Sequence, residues 1–256
     1  MGKLYGKLNV RIFQDRGEMG RAAALDAFER ISALLVEKDT VRLIFAAAPS
    51  QNEFLAALAE KDIDWTRIEA FHLDEYIGLD ADAPQGFGNF LRRAIFDRVS
   101  FMKVNFLNGQ AAPETACAEY TALLAGTEID IAFLGVGENG HLAFNDPPVA
   151  DFGDPEVIKA VPLDQICRRQ QVNDGCFAKL EDVPTHALTL TIPTLMNCKQ
   201  LITVVPGKLK ANAVKAMLDG PLTTDCPASI LKNHPNAVLY LDADSAMLLS
   251  DSAGLL

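Results

Sequence analysis

At 256 residues the chain suffices for one large α/β domain or two small ones, and its 49% hydrophobic and 22% charged residues exclude a disordered or fibrous protein. A formal net charge of −11 repels nucleic-acid phosphate and anionic lipid, so neither is an expected partner, and a phosphorylated ligand would need a local positive pocket. There is no uncharged apolar run of about 18 residues and no signal-peptide pattern. The five cysteines and four histidines fall at no disulfide or zinc spacing, which points to reduced thiols in a cytoplasmic protein without a metal site.

In chain order, residues 18–38 place Leu25, Phe28, Ile31 and Leu35 at helical spacing between charges, which predicts an amphipathic helix. VRLIFAAA (41–48) reads as a buried strand. It runs into PSQNEF, where Ser50 and Glu53 have the spacing of a capping box opening a helix. Strands are predicted at 67–73, 129–137, 187–192, 200–207 and in AVLYLDAD near the end, with a helix from about 208 to a C′ glycine, Gly220. With no repeat or linker, this alternation predicts a single domain of α/β class: a Rossmann-like, mostly parallel sheet with helices on both faces. Ligands of such sheets bind at the carboxyl ends of the strands, so the informative residues should follow positions 48, 73, 137 and 205.

Four segments sit there. Asp74 and Glu75 end an apolar strand. A partly buried carboxylate in that place is a candidate general base, while a helix cap or salt-bridged acid is the plainer alternative. In LGVGENGHLAFNDPP (134–148), glycines such as Gly137 leave room for a ligand against the backbone. His141 can act as acid or base there, and Asp146 can hold its imidazole in one tautomer. The GxGxxG spacing does not make a dinucleotide site, because prolines follow where a helix should continue. In VVPGKLKANAVKAML, Lys208 and Lys210 crowd the start of a helix. A bound anion would relieve that conflict, a solvated lysine pair being the alternative. Ser50, Gln51 and Asn52 open another helix with donors suited to phosphate or sugar hydroxyls, or simply cap it.

Together HLDEYIGL (72–79), GVGENGHLAFNDP (135–147) and VPGKLKANAVKAML (205–218) resemble the glucosamine-6-phosphate deaminase/isomerase family, related to the 6-phosphogluconolactonases. The likeness extends to FLNG (106–109), VPTHALTLTIPTLM (183–196) and CPASILKNHP (226–235). Lactonases typically carry Thr-Ala-Ser-Leu-Phe after the glycine-histidine, and Leu-Ala-Phe-Asn here favours the deaminase branch. The resemblance implies a cofactor-free enzyme converting glucosamine 6-phosphate to fructose 6-phosphate and ammonia. It implies that His141 assists ring opening with Asn139 nearby and Asp146 behind it, that Asp74 carries a proton from carbon 2 to carbon 1, and that Lys210 binds phosphate. Arg169 keeps the family register in CRRQQVNDGCF, though a second arginine of that stretch is absent. The phosphate loop reads Ala-Pro-Ser-Gln-Asn-Glu where well-known members have Pro-Thr-Gly-Gly-Thr-Pro, so Ser50, Gln51 and Asn52 take over its work, with Glu75 and Gly137 as further substrate contacts. DPEVIKAV (154–161) keeps Lys159 but lacks an allosteric arginine, and no activation by N-acetylglucosamine 6-phosphate is expected. Turnover of another amino-sugar phosphate such as galactosamine 6-phosphate, lactone hydrolysis and a non-catalytic sugar-phosphate sensor stand as alternatives. The family includes monomers and hexamers, so a homo-oligomer stays open, as does a lid over about 150–182.

Overall fold

The unbroken apolar runs of the central strands follow from a sheet buried on both faces. The computed structural model describes residues 2–250. Its strands are β1 (Lys3–Tyr5), β2 (Leu8–Phe13), β3 (Val41–Phe45), β4 (Ile68–His72), β5 (Asp74–Tyr76), β6 (Lys103–Val104), β7 (Ile131–Leu134), β8 (Ile158–Pro162), β9 (His186–Leu190), β10 (Gln200–Val205) and β11 (Ala237–Asp242). The helices are α1 (Arg16–Glu37), α2 (Asn52–Ala59), α3 (Phe87–Leu91), α4 (Pro113–Leu124), α5 (Gln165–Asn173), α6 (Ile192–Met196) and α7 (Ala211–Asp219). Eight strands form the main sheet in the order β1-β2-β11-β10-β7-β3-β4-β6, parallel throughout except for the β1–β2 edge pair.

Alternate residues of each strand enter different cores. Leu43, Phe45, Phe133 and Val204 pack with α1 and α2, whereas Ile44, Leu134, Leu201 and Val205 pack with α4 and α7. This is the predicted doubly covered parallel sheet. One strand departs from expectation: HALTL joins β5 and β8 in a separate antiparallel sheet of order β5-β9-β8.

Three local expectations are corrected. The buried stripe of α1 runs through Met19, Ala23, Ala24, Ala27 and Ile31, with Phe28 and Leu35 packed partly buried beside it as expected, but Leu25 is 47% exposed. Small residues let α1 approach α2 closely, and a Cβ on Gly20 would strike Glu53. The capping box does not form. Pro49 starts a 3₁₀ turn at Pro49–Gln51, which draws Ser50 inside the turn, and Glu53 instead pairs with Arg16 at 2.7 Å. Gly220 ends α7 with φ −81°, so it is not a left-handed cap; its missing Cβ makes room for the Ala216 carbonyl. Within the 150–182 segment, β8 is hydrogen-bonded along its length to β9.

Candidate active site

The segments following β3, β4, β7 and β10 converge on one cleft, as the strand-end rule requires. Asp74 reaches it from β5, two residues after His72 at the end of β4. Its backbone is fixed on both sides, by pairing with Thr189 and by His72 Nδ1, which donates to the Asp74 carbonyl at 2.9 Å. The Leu107 amide donates to His72 Nε2 at 2.9 Å, which sets this tautomer, and burial lowers the His72 pKa to about 4. Tyr120 hydroxyl adds a clamp, accepting from the His72 amide and donating to its carbonyl, each at 2.9 Å.

The Asp74 carboxyl itself, 6% exposed, lines the cleft without a hydrogen bond or ion pair to any described residue. Burial first, and the neighbouring Glu75 charge second, push its pKa well above the ordinary carboxylate range. Glu75, one residue on, points to the other side of the strand. Its Oε1 accepts from the Tyr76 and Phe87 amides and its Oε2 from Gly88, at 2.8–3.0 Å. Glu75 therefore anchors the start of α3 and does not meet the cleft.

His141 stands at the cleft on the loop after β7. A side chain on Gly137 would collide with its ring, so this glycine is required by the close approach of the imidazole. Ala143, two residues on, adopts a left-handed φ of 51°, strain typical of a functional loop. His141 Nδ1 lies 2.9 Å from Asp146 Oδ1, close enough for strong electrostatic coupling but poorly aligned as a hydrogen bond. Asp146 thus reaches the histidine. Burial raises the Asp146 pKa, but His141, Asn139 and Cys167 outweigh that effect and the net shift is downward. Asn139 bridges the pair from behind. Its Nδ2 donates to Asp146 at 2.8 Å and its Oδ1 accepts the His141 amide at 3.1 Å.

Lys210, 6% exposed, lines the same cleft from the 3₁₀ turn at Lys208–Lys210, while Lys208 faces solvent. The turn is fixed by Asp242 at the end of β11, whose two carboxylate oxygens each accept the Gly207 amide at 3.0 Å. Burial lowers the Lys210 pKa, and it has no ion-pair partner among the described residues, the condition in which a bound anion is most favourable. Ser50 also lines the cleft. Gln51 is buried beneath it, donating to Ser50 Oγ and the Val204 carbonyl at 3.1 Å each.

Asn52 and Arg169, predicted to contact substrate, are exposed and lie outside the cleft. On α5 the buried positions are Cys167, Gln170 and Gln171, so Arg169 points outward and the two glutamines face the site instead. Sequence reasoning missed these glutamines, Phe87 at the cleft wall, and His72 behind Asp74. Only the strand register and the phase of α5 reveal them. The five cysteines are free. Lys159, the residue kept from the allosteric segment, is taken up by Asp154 and the Val149 carbonyl, both at 2.7 Å.

Residues 14–149 match the family described as glucosamine-6-phosphate isomerases/6-phosphogluconolactonase. The chain belongs to this family. A glucosamine-6-phosphate deaminase of Listeria innocua is 34% identical over 229 residues, covering 89% of this chain and 96% of the relative. A solved monomeric glucosamine-6-phosphate deaminase superposes with a TM-score of 0.85 at 29% identity, covering 93% of this chain and 99% of the other. A 6-phosphogluconolactonase from Thermotoga maritima shares the fold at a TM-score of 0.74, with 22% identity and 91% and 98% coverage. Among the described residues no helix is long and apolar enough to cross a membrane.

Proposed function

We propose that this family member is a glucosamine-6-phosphate deaminase, acting in the cytoplasm on glucosamine 6-phosphate and water to give fructose 6-phosphate and ammonia. The observation that carries this reading is the buried Asp74 carboxyl and Lys210, neither paired with a described residue, sharing one cleft with His141. Lys210 and the Ser50 hydroxyl hold the phosphate. His141 shifts the proton between the anomeric hydroxyl and the ring oxygen, which opens the ring, while Asp146 and Asn139 keep the imidazole in place.

Asp74 takes the proton from carbon 2, leaving an enolamine, and returns it to carbon 1, leaving an imine at carbon 2. Water adds to that carbon and ammonia departs. One carboxylate serves both carbons because they are adjacent. The raised pKa suits a base that must accept a carbon-bound proton. An amino sugar also brings, as its ammonium, a positive charge that no described residue supplies to Asp74.

The test is direct. Purified protein given glucosamine 6-phosphate without added metal or nicotinamide should release ammonia and fructose 6-phosphate in equal amounts. Hydrolysis of 6-phosphogluconolactone with no ammonia from the amino sugar would replace this reading with the lactonase. Tight binding of the amino sugar with no product would replace it with a sensor.

A further inference from the structure

Behind the cleft, on the Nδ1 side of His141, the fold gathers three donors that the sequence keeps apart. The ligand-type atoms of His141, Asp146 and Cys167 all lie within 4.8 Å of one another, and all three side chains are at least nine-tenths buried. His141 Nδ1 faces Asp146 Oδ1 at 2.9 Å without hydrogen-bond alignment, and the Cys167 thiol interacts with the same buried carboxylate. Three donors thus turn toward one point, with only each other and the Asn139 amide to serve them among the described residues.

We propose that His141, Asp146 and Cys167 form an inhibitory site for a borderline-soft divalent cation of the zinc type. A nitrogen, carboxylate and thiolate set with one position left for water is a donor set zinc accepts. Tetrahedral bonds of about 2.0–2.3 Å place neighbouring donors about 3.3–3.6 Å apart, so the site closes around the ion with small movements. The cation binds the Cys167 thiolate, whose proton passes to solvent, and the Asp146 carboxylate. Its two positive charges are thereby matched by two negative ones, which a buried site demands. It enters from the cleft past His141, the member of the trio that lines it.

The functional consequence rests on the deaminase reading. A metal on Nδ1 leaves the imidazole only an Nε2–H, a donor that cannot accept a proton. Ring opening stops, while Lys210 and Ser50 still bind phosphate. The metal should therefore lower kcat and leave KM nearly unchanged.

Cobalt(II) added to the purified full-length protein reads the site without reference to activity. One equivalent should produce near-ultraviolet thiolate-to-cobalt absorption and tetrahedral visible bands. C226S, which alters a second cysteine packed against Gly140 in the same loop, should retain them. C167S and D146N should abolish the thiolate band or weaken metal binding by more than the about 10–100-fold typical of outer-shell changes. In steady-state assays zinc should lower wild-type kcat at least about tenfold and spare C167S. Absence of the band in wild-type protein, or its persistence in C167S, overturns the proposal; C167A checks that loss of the band is not a folding defect of one variant. A protein that shows the cobalt bands but never releases ammonia would sink the deaminase reading and leave the metal site standing.

Discussion

The two faces of β5 carry neighbouring carboxylates with opposite circumstances. Asp74 points into the cleft with no described partner, whereas Glu75 points away and accepts three backbone amides. Both pKa values are raised, and burial is the largest cause for each. For Glu75 the three amides work against that rise; for Asp74 nothing comparable does, and the Glu75 charge adds to it. Burial alone therefore does not make a reactive acid. What distinguishes Asp74 is that the protein withholds the donors it supplies one residue away.

The largest expected effect tests that distinction. Asp74→Asn should lower kcat by about 10²–10⁴-fold, the contribution of a positioned base. The same substitution should raise Tm at neutral pH. A carboxyl whose folded pKa lies above its unfolded value of 3.8 favours folding below that value and loses the contribution as pH rises. The asparagine escapes this loss, so the Tm advantage over wild type should shrink as pH falls toward 3.8. An unchanged or lowered Tm at pH 7 would mean that Asp74 has a stabilising partner after all.

His72 inverts the sign two residues earlier. Its folded pKa of about 4 lies below the unfolded 6.5, so its contribution is complete above pH 6.5 and is lost as pH falls toward 4. The loss should total on the order of 3 kcal/mol, at 1.36 kcal/mol per pKa unit. Denaturant titrations in an Asp74→Asn background remove the opposing slope of the carboxyl. Adding His72→Gln there should flatten the curve between pH 6.5 and 4. A slope that survives would locate the linkage in another group.

Much of this arrangement was legible in the sequence, and the failures share a cause. Asp74, His141, Asp146 and Lys210 lie in contiguous motifs at strand ends, where the parallel-sheet rule already directs attention. Glu75 was misplaced because β5 restarts after Leu73, and the alternation that separates neighbours is readable only once that break is known. Arg169 was misplaced because its helix docks from outside the sheet, so one residue of phase exchanges an exposed arginine for Gln170 and Gln171. Cys167 joined His141 through tertiary packing across 26 positions, beyond any local spacing rule. On α1 the predicted stripe holds at Ile31, Phe28 and Leu35 and fails at Leu25, while the alanines that complete the buried face carry little hydrophobic signal.

Lys210→Met should act on binding more than on chemistry. Removing one charged hydrogen bond to phosphate, worth about 1.5–3 kcal/mol, should raise KM about 10–100-fold with a smaller change in kcat. Methionine keeps most of the buried stem, so Tm should not fall. A variant with normal KM would move the phosphate elsewhere in the cleft, toward the exposed Lys208.

The gentlest probe is Glu75→Gln, because it keeps shape and removes only the charge and one acceptor. An amide can satisfy at most part of a site built from three N–H donors, and its own NH₂ must face at least one of them. The cost should be about 1–3 kcal/mol, or about 2–12 °C in Tm for a chain near this size. Turnover should change far less than in Asp74→Asn, through slight movement of Phe87, whose amide Glu75 holds and whose ring lines the cleft. Removing the Glu75 charge should also lower the Asp74 pKa and shift the acid limb of kcat/KM to lower pH, since that charge is the second cause of the Asp74 shift. A collapse of kcat with Tm intact would instead make Glu75 the reacting acid and dissolve the contrast between the two faces of the strand.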